Sequence, residues 1–137
     1  MTEPEAVVRR FFELLNAKDA ATAAELLADD VEWRNTGMPT IRGARRTSGI
    51  LRDMEKRRIS FSAEMHHVAA NGAFVLTERT DYLGWRSVAT DFWVCGTFRI
   101  EDGRIALWDD HYSLGNFVTG IGRGALRALS GRGRSGQ

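Results

Sequence analysis

The sequence predicts an α+β fold in which helices pack on one face of a curved antiparallel sheet. Three observations carry that expectation. Apolar residues recur at helical spacing through the first part of the chain. From Ile59 onward the pattern changes to four strand-like segments. The breaks between those strands include Asn71-Gly72 and Asp102-Gly103, dipeptides that favour tight hairpin turns and so imply a meander. Such a sheet wraps into a cone whose concave side can hold a small ligand.

Each element follows from its local pattern. Residues 4–17, PEAVVRRFFELLNA, place Val7, Val8, Phe11, Leu14 and Leu15 along a helical stripe, and Pro4 is tolerated in a first turn. Asp19 can cap a second helix with Ala23, Leu26 and Leu27 facing inward, ended by Asp29 and Asp30. VEWRN, 31–35, reads as a short strand, and Gly37 and Pro39 break the pattern. A third helix is expected over 44–57 with Ile50, Leu51 and Met54. Strands are expected over 60–69, 73–83, 88–100 and 104–113. An amphipathic segment follows over 114–130, weakened as a helix by Gly115, Gly120, Gly122 and Gly124. Residues 1–130 thus form a single domain, and GRGRSGQ, 131–137, reads as a disordered tail.

Composition narrows the functional classes. The chain has 137 residues, 43% of them hydrophobic, which suffices for one core. A net charge of +1 demands no acidic partner. The arginines between 42 and 58 are interrupted by Asp53 and Glu55 and lack interleaved aromatics, so they read as a solvated helix face and no nucleic acid is expected. A single cysteine, Cys95, excludes an internal disulfide and suits a reducing compartment. With no leader pattern and no apolar run long enough for a membrane, the expected location is the cytoplasm. His66 and His67 are adjacent on a strand, so they point to opposite faces and cannot share a metal.

The stretch FVLTERTDYL, 74–83, carries charges where a buried strand is expected. Alternation puts Val75, Thr77, Arg79 and Asp81 on one face, and Glu78 and Thr80 on the other. In ALWDDHYS, 106–113, Trp108, Asp110 and Tyr112 share a face, while Asp109 and His111 turn away. The strand containing DFWVCGTF, 91–98, separates the two, so they lie about 10 Å apart. A guanidinium can bridge two carboxylates across that gap, which makes Asp81, Arg79 and Asp110 the candidate site. The same spacing also describes a salt bridge on a solvated sheet face. Trp93 and Cys95 point away from Phe92 and Val94, which suggests a partner surface on the outer face.

VEWRNTGMPTIRG (31–43), VLTERTDYL (75–83), FWVCGTF (92–98) and DGRIALWDDHYSL (102–114) resemble the limonene-1,2-epoxide hydrolase family, within the cone-shaped NTF2-like or SnoaL-like superfamily. The similarity runs from about residue 5 to residue 117. The resemblance implies that Asp110 is a general base acting on water, that Asn35 holds this water, and that Asp81 protonates the epoxide oxygen. Arg79 would keep the two carboxylates in register. It further implies one-step opening of a hydrophobic epoxide to a vicinal diol, with no metal or other cofactor, in a homodimer. Phe12, Leu15, Leu83, Phe92, Val94 and Tyr112 would line the cavity. Two positions depart from the family: Trp33 stands where a water-holding tyrosine is usual, and Asp109 where an arginine is usual. Alternatives on the same cone are an epoxide-opening cyclase, a ketosteroid-isomerase-like enzyme, and a non-catalytic module that binds lipophilic ligands.

Overall fold

In a computed structural model, the backbone of residues 1–135 and the side chains of 1–113 and 119–130 are described. Helix α1, Glu3–Asn16, starts where Thr2 accepts a hydrogen bond from the Glu5 N–H, and buries Val8, Phe11, Phe12, Leu14 and Leu15. Asp19 caps α2, Ala20–Ala24, by accepting from the Thr22 N–H. That helix is shorter than its sequence pattern suggests. Leu27 opens strand β1, Leu27–Asn35, and Asp29 and Asp30 are exposed strand residues rather than the end of a helix. The override is tertiary: Leu27 pairs with Ile105, and the Ile105 N–H donates to the Leu26 carbonyl at 2.8 Å.

Strand β2, Ile41–Arg42, leads into α3, Ala44–Lys56, which buries Thr47 and Leu51. Four long strands follow: β3 Ser60–Asn71, β4 Phe74–Trp85, β5 Val88–Glu101 and β6 Arg104–His111. These form the expected antiparallel meander within a six-stranded sheet of order β2-β1-β6-β5-β4-β3. The sheet as a whole is mixed, because β1 lies parallel to β6, with Trp33 opposite Trp108 and Asn35 opposite Asp110. Turn signals report only sequential neighbours, whereas this parallel pairing is closed by everything between the two strands. A shift in register between Met65 and His67 leaves His66 and His67 both exposed, correcting the opposite faces that strict alternation implies.

The core lies between α1 and the concave face of the sheet. Phe11 and Phe12 meet Trp108 edge-on, and Phe12 meets Phe98 in the same way. Helix α4, Leu114–Ser135, packs against β5 and runs past the expected limit at 130. Residues 136 and 137 of the expected tail lie outside the described residues. Two glycines that weaken α4 as an isolated helix are its contact surface: a β carbon at Gly124 would overlap the Ala89 carbonyl, and one at Gly120 would overlap the Thr90 hydroxyl.

Candidate active site

Pleating and register bring the charged residues together. The inner face of β4 presents Val75, Thr77, Arg79 and Asp81, all buried, and that of β6 presents Trp108 and Asp110. On β5 between them, Gly96 stands opposite Thr77 on one side and Asp110 on the other. A β carbon here would lie 2.6 Å from Arg79 Nη1 and 2.8 Å from both Asp110 Oδ1 and Thr77 Oγ1. Only glycine leaves a trough across β5 through which Arg79 can reach the far strand.

Arg79 fills that trough with no exposed surface. Its Nε donates to Asp81 Oδ1 at 2.7 Å and its Nη2 to Asp81 Oδ2 at 3.0 Å, a forked contact. The same Nη2 donates to Asp110 Oδ2 at 2.5 Å, and Nη1 donates to Thr77 Oγ1 at 3.3 Å. The Phe12 ring lies 4.6 Å from the guanidinium carbon and closes its other side. Asp81 is 3% and Asp110 4% exposed, so the solvated salt bridge is excluded.

The two carboxylates are held differently. Asp110 Oδ2 takes donors from Arg79 and from Trp108 Nε1, the latter at 3.0 Å, while Asp110 Oδ1 is buried with no hydrogen-bond partner among the described residues. Burial pushes Asp110 above the usual carboxylate range; Arg79 opposes this and the nearby Asp81 adds to it. Burial works against the Arg79 charge, but Asp110 and Asp81 more than offset it and hold its pKa above the ordinary arginine value.

The cluster forms the floor of a cavity of about 820 Å³ with largely apolar walls. Asn35, Trp33, Asp81 and Asp110 all line it. Of the six expected wall residues, Leu15, Leu83, Phe92 and Tyr112 lie on the cavity. Phe12 and Val94 stand behind the wall instead: Phe12 is under the guanidinium, and Val94 is fully buried in register with Arg79. Trp33 stacks on Trp108 at 4.4 Å with an interplanar angle of 12°, and its buried Nε1 has no partner among the described residues. Asp109 turns away and lies 3.3 Å from His111, as alternation requires.

Sequence reasoning assigned no role to Gly96, Thr77 or Thr36. Gly96 carried a signal, an isolated glycine inside a strand. Thr36 did not: its backbone N–H donates to the Asp110 carbonyl and its hydroxyl accepts from the Tyr112 N–H, tying the end of β1 to β6 across 74 residues. Met38, Ile50, Met54 and Ile59 also line the cavity, brought there by α3 and its flanking turns. Among the described residues, no group of three or more His, Cys, Asp or Glu side chains is placed to hold a metal.

A curved sheet closed by N-terminal helices over an apolar cavity is the cone of the NTF2-like proteins. One such protein of unknown function from Burkholderia pseudomallei superposes with a TM-score of 0.75 at 18% identity, over 88% of this chain and 98% of that one, a likeness of fold alone. The family of the limonene-1,2-epoxide hydrolase catalytic domain matches residues 2–123, so the chain belongs to that family and is an enzyme of the epoxide hydrolase type. Epoxide hydrolase EphG of Mycobacterium tuberculosis is 42% identical over 119 residues, covering 87% of this chain and 79% of that protein. The structure of an M. tuberculosis LEH-like epoxide hydrolase superposes with a TM-score of 0.89 at 39% identity, over 93% of this chain and 96% of that one.

Proposed function

We propose that the protein adds water to a lipophilic epoxide in one step, with Asp110 as general base, Asp81 as general acid and Arg79 as the clamp between them. A water held by Asn35 loses a proton to Asp110 Oδ1 while its oxygen attacks a ring carbon. The C–O bond of the epoxide breaks, and the ring oxygen takes the proton of Asp81. A vicinal diol results, and the proton gained by Asp110 must return to Asp81 before the next turnover. The pair titrates as a unit and works with one proton between its two carboxyls. Each proton transfer contributes about 10²–10⁴-fold.

The observation that carries this reading is the asymmetry at Asp110: one oxygen taken by Arg79 and Trp108, the other with no partner among the described residues. The raised proton affinity of Asp110 would also suit a donor. Asn35, in register with Asp110 and not with Asp81, supports the base assignment. Trp33 can donate through its indole N–H but cannot accept, so it would orient the water differently from a tyrosine. The test is turnover of a panel of lipophilic epoxides in ¹⁸O-labelled water. One labelled oxygen in the diol within a single turnover is expected; closure onto an internal hydroxyl without label, or rates unchanged in both Asp110→Asn and Asp81→Asn, would overturn the reading.

The outer face of the sheet supports a homodimer as part of this proposal. Leu76 and Trp93 are each 52% exposed there, and Cys95 is half-buried. A cytoplasmic enzyme fits the single cysteine. Among the described residues no helix is long and apolar enough to cross a membrane.

A further inference from the structure

A second space adjoins the cavity. It is a groove of about 720 Å³ lined by the ends of β3, β4 and β5 and by α4. Lys18, Ser60, Phe61 and Leu83 line both the cavity and the groove, so these four residues form their common wall. Lys18 and Ser60 are exposed at its rim, while Phe61 and Leu83 are half-buried and make its apolar part.

Strand register builds this wall. Phe61 stands opposite Leu83, and Leu83 opposite Thr90. The preceding row on the same face is Ala63, Asp81 and Phe92. Two residues along a strand span about 7 Å, so the wall lies one row of side chains from Asp81. A ring substituent that extends from Asp81 along β4 therefore meets Leu83 first. The backbone beside the wall is fixed: Asn16 Nδ2 donates to the Ala63 carbonyl at 2.9 Å, and Asn16 Oδ1 accepts the Ala63 N–H at 2.8 Å. The far side is fixed as well, because Gly120 and Gly124 let α4 sit directly on Thr90 and Ala89, and Arg127 and Ala128 then line the groove.

The two spaces differ in polarity. The cavity walls are largely apolar, whereas Ser62, Tyr82, Asp91 and Arg127 line the groove, with Arg127 Nη2 3.9 Å from Asp91 Oδ1. Thr90, 7% exposed, also lines it, and its hydroxyl has no partner among the described residues. An apolar chain gains less beside such groups than in the cavity. Two apolar side chains thus separate a greasy space from a polar one.

We infer that Phe61 and Leu83 set the length of substrate the cavity accepts, by closing it against a groove that a longer ligand would otherwise enter. The inference rests on the epoxide hydrolase reading and deepens it by naming a pair of specificity-determining residues.

The test measures kcat/KM over a homologous series of terminal epoxyalkanes of increasing chain length. In the wild type, kcat/KM should rise with length and then fall once the chain outgrows the cavity. Leu83→Ala and Phe61→Ala should each move that fall to longer chains, raising kcat/KM for the longest relative to the shortest by about tenfold, mostly through KM. Ala128→Phe fills the groove alone. It should leave the wild-type profile unchanged, and in the Leu83→Ala background it should restore the wild-type limit. Leu83→Val and Phe61→Leu remove less volume and should give smaller shifts in the same direction, which keeps the test open if either alanine variant fails to fold. In parallel, straight-chain alkanamides of increasing length are titrated against tryptophan fluorescence, because Trp33 and Trp108 line the cavity. The same limit and the same shift are expected in binding. A wild-type profile with no fall, or a limit that stays in place in folded variants of both positions, overturns the inference and leaves the hydrolase reading intact. A shift in Leu83→Ala that survives Ala128→Phe also overturns it, because the extra length is then not taken up by the groove. No turnover of any epoxide, with the amides still showing the limit and its shift, overturns the hydrolase reading and supports the wall.

Discussion

The two faces of β4, β5 and β6 invert the usual distribution of polarity. The inner face buries an arginine and two aspartates, Arg79, Asp81 and Asp110, in a cavity with greasy walls. The outer face of the same strands leaves Leu76 and Trp93 half exposed. Buried charge lowers stability unless it is paired, and exposed apolar surface is a liability unless it is covered. A fold that does both on one sheet has placed chemistry on one side and, on our proposal, a second copy of itself on the other.

The sharpest way to break this comparison is on the inner face. Asp110→Asn should lower kcat by about 10²–10⁴-fold or more in epoxide turnover, with circular dichroism unchanged, and Asp81→Asn should do the same. Next in size is Gly96→Ala. Its new methyl meets Arg79, Asp110 and Thr77 at less than van der Waals distance, so denaturant melts should show a loss of about 1–3 kcal/mol together with a fall in kcat. On the neighbouring outward position, Thr97→Ala should change stability by about 0.5 kcal/mol or less, because that side chain projects to the opposite face.

Proton linkage follows from the same burial. The folded Asp110 has a pKa raised above its ordinary 3.8, so the native state binds the proton more tightly than the unfolded chain. Its contribution to stability is therefore present below the unfolded value and is lost as pH rises through the folded value. As a base, Asp110 must be ionised, so the rate should fall as pH drops through that same raised value, at higher pH than an ordinary aspartate would give. Rate and denaturation profiles against pH should thus move in opposite directions across this window, and Asp110→Asn should remove the step from the stability profile.

On the outer face the expected effect is on association. Leu76→Asp with Trp93→Asp should turn the dimer we propose into a monomer by light scattering, while the melting of the monomer shifts little because both side chains are half exposed. A persistent dimer would place the interface elsewhere. A small effect is also expected at Trp33→Phe. The indole N–H has no partner among the described residues, so its loss should change stability by less than about 1 kcal/mol and kcat by less than about tenfold.

Local chemistry made much of this legible. Asn71-Gly72 and Asp102-Gly103 located the hairpins β3–β4 and β5–β6, and period-two alternation assigned Arg79, Asp81 and Asp110 to one face. Where local pattern competed with tertiary pairing, it lost: Leu26 and Leu27 look helical, but Leu27 belongs to β1 because β6 supplies its partners. Phe12 and Val94 are apolar in either reading, and nothing in their spacing distinguishes a cavity wall from the layer behind it.

The sequence by itself determined which side chains share a strand face and where the chain turns, because both are set within a few residues by the pleat and by glycine's freedom at positive φ. Only the tertiary structure decided that Asn35 lies beside Asp110 and that Gly96 opens a path for Arg79. Those relations join residues far apart in the chain through strand pairings, one of them parallel, and no local periodicity encodes a distance of that kind.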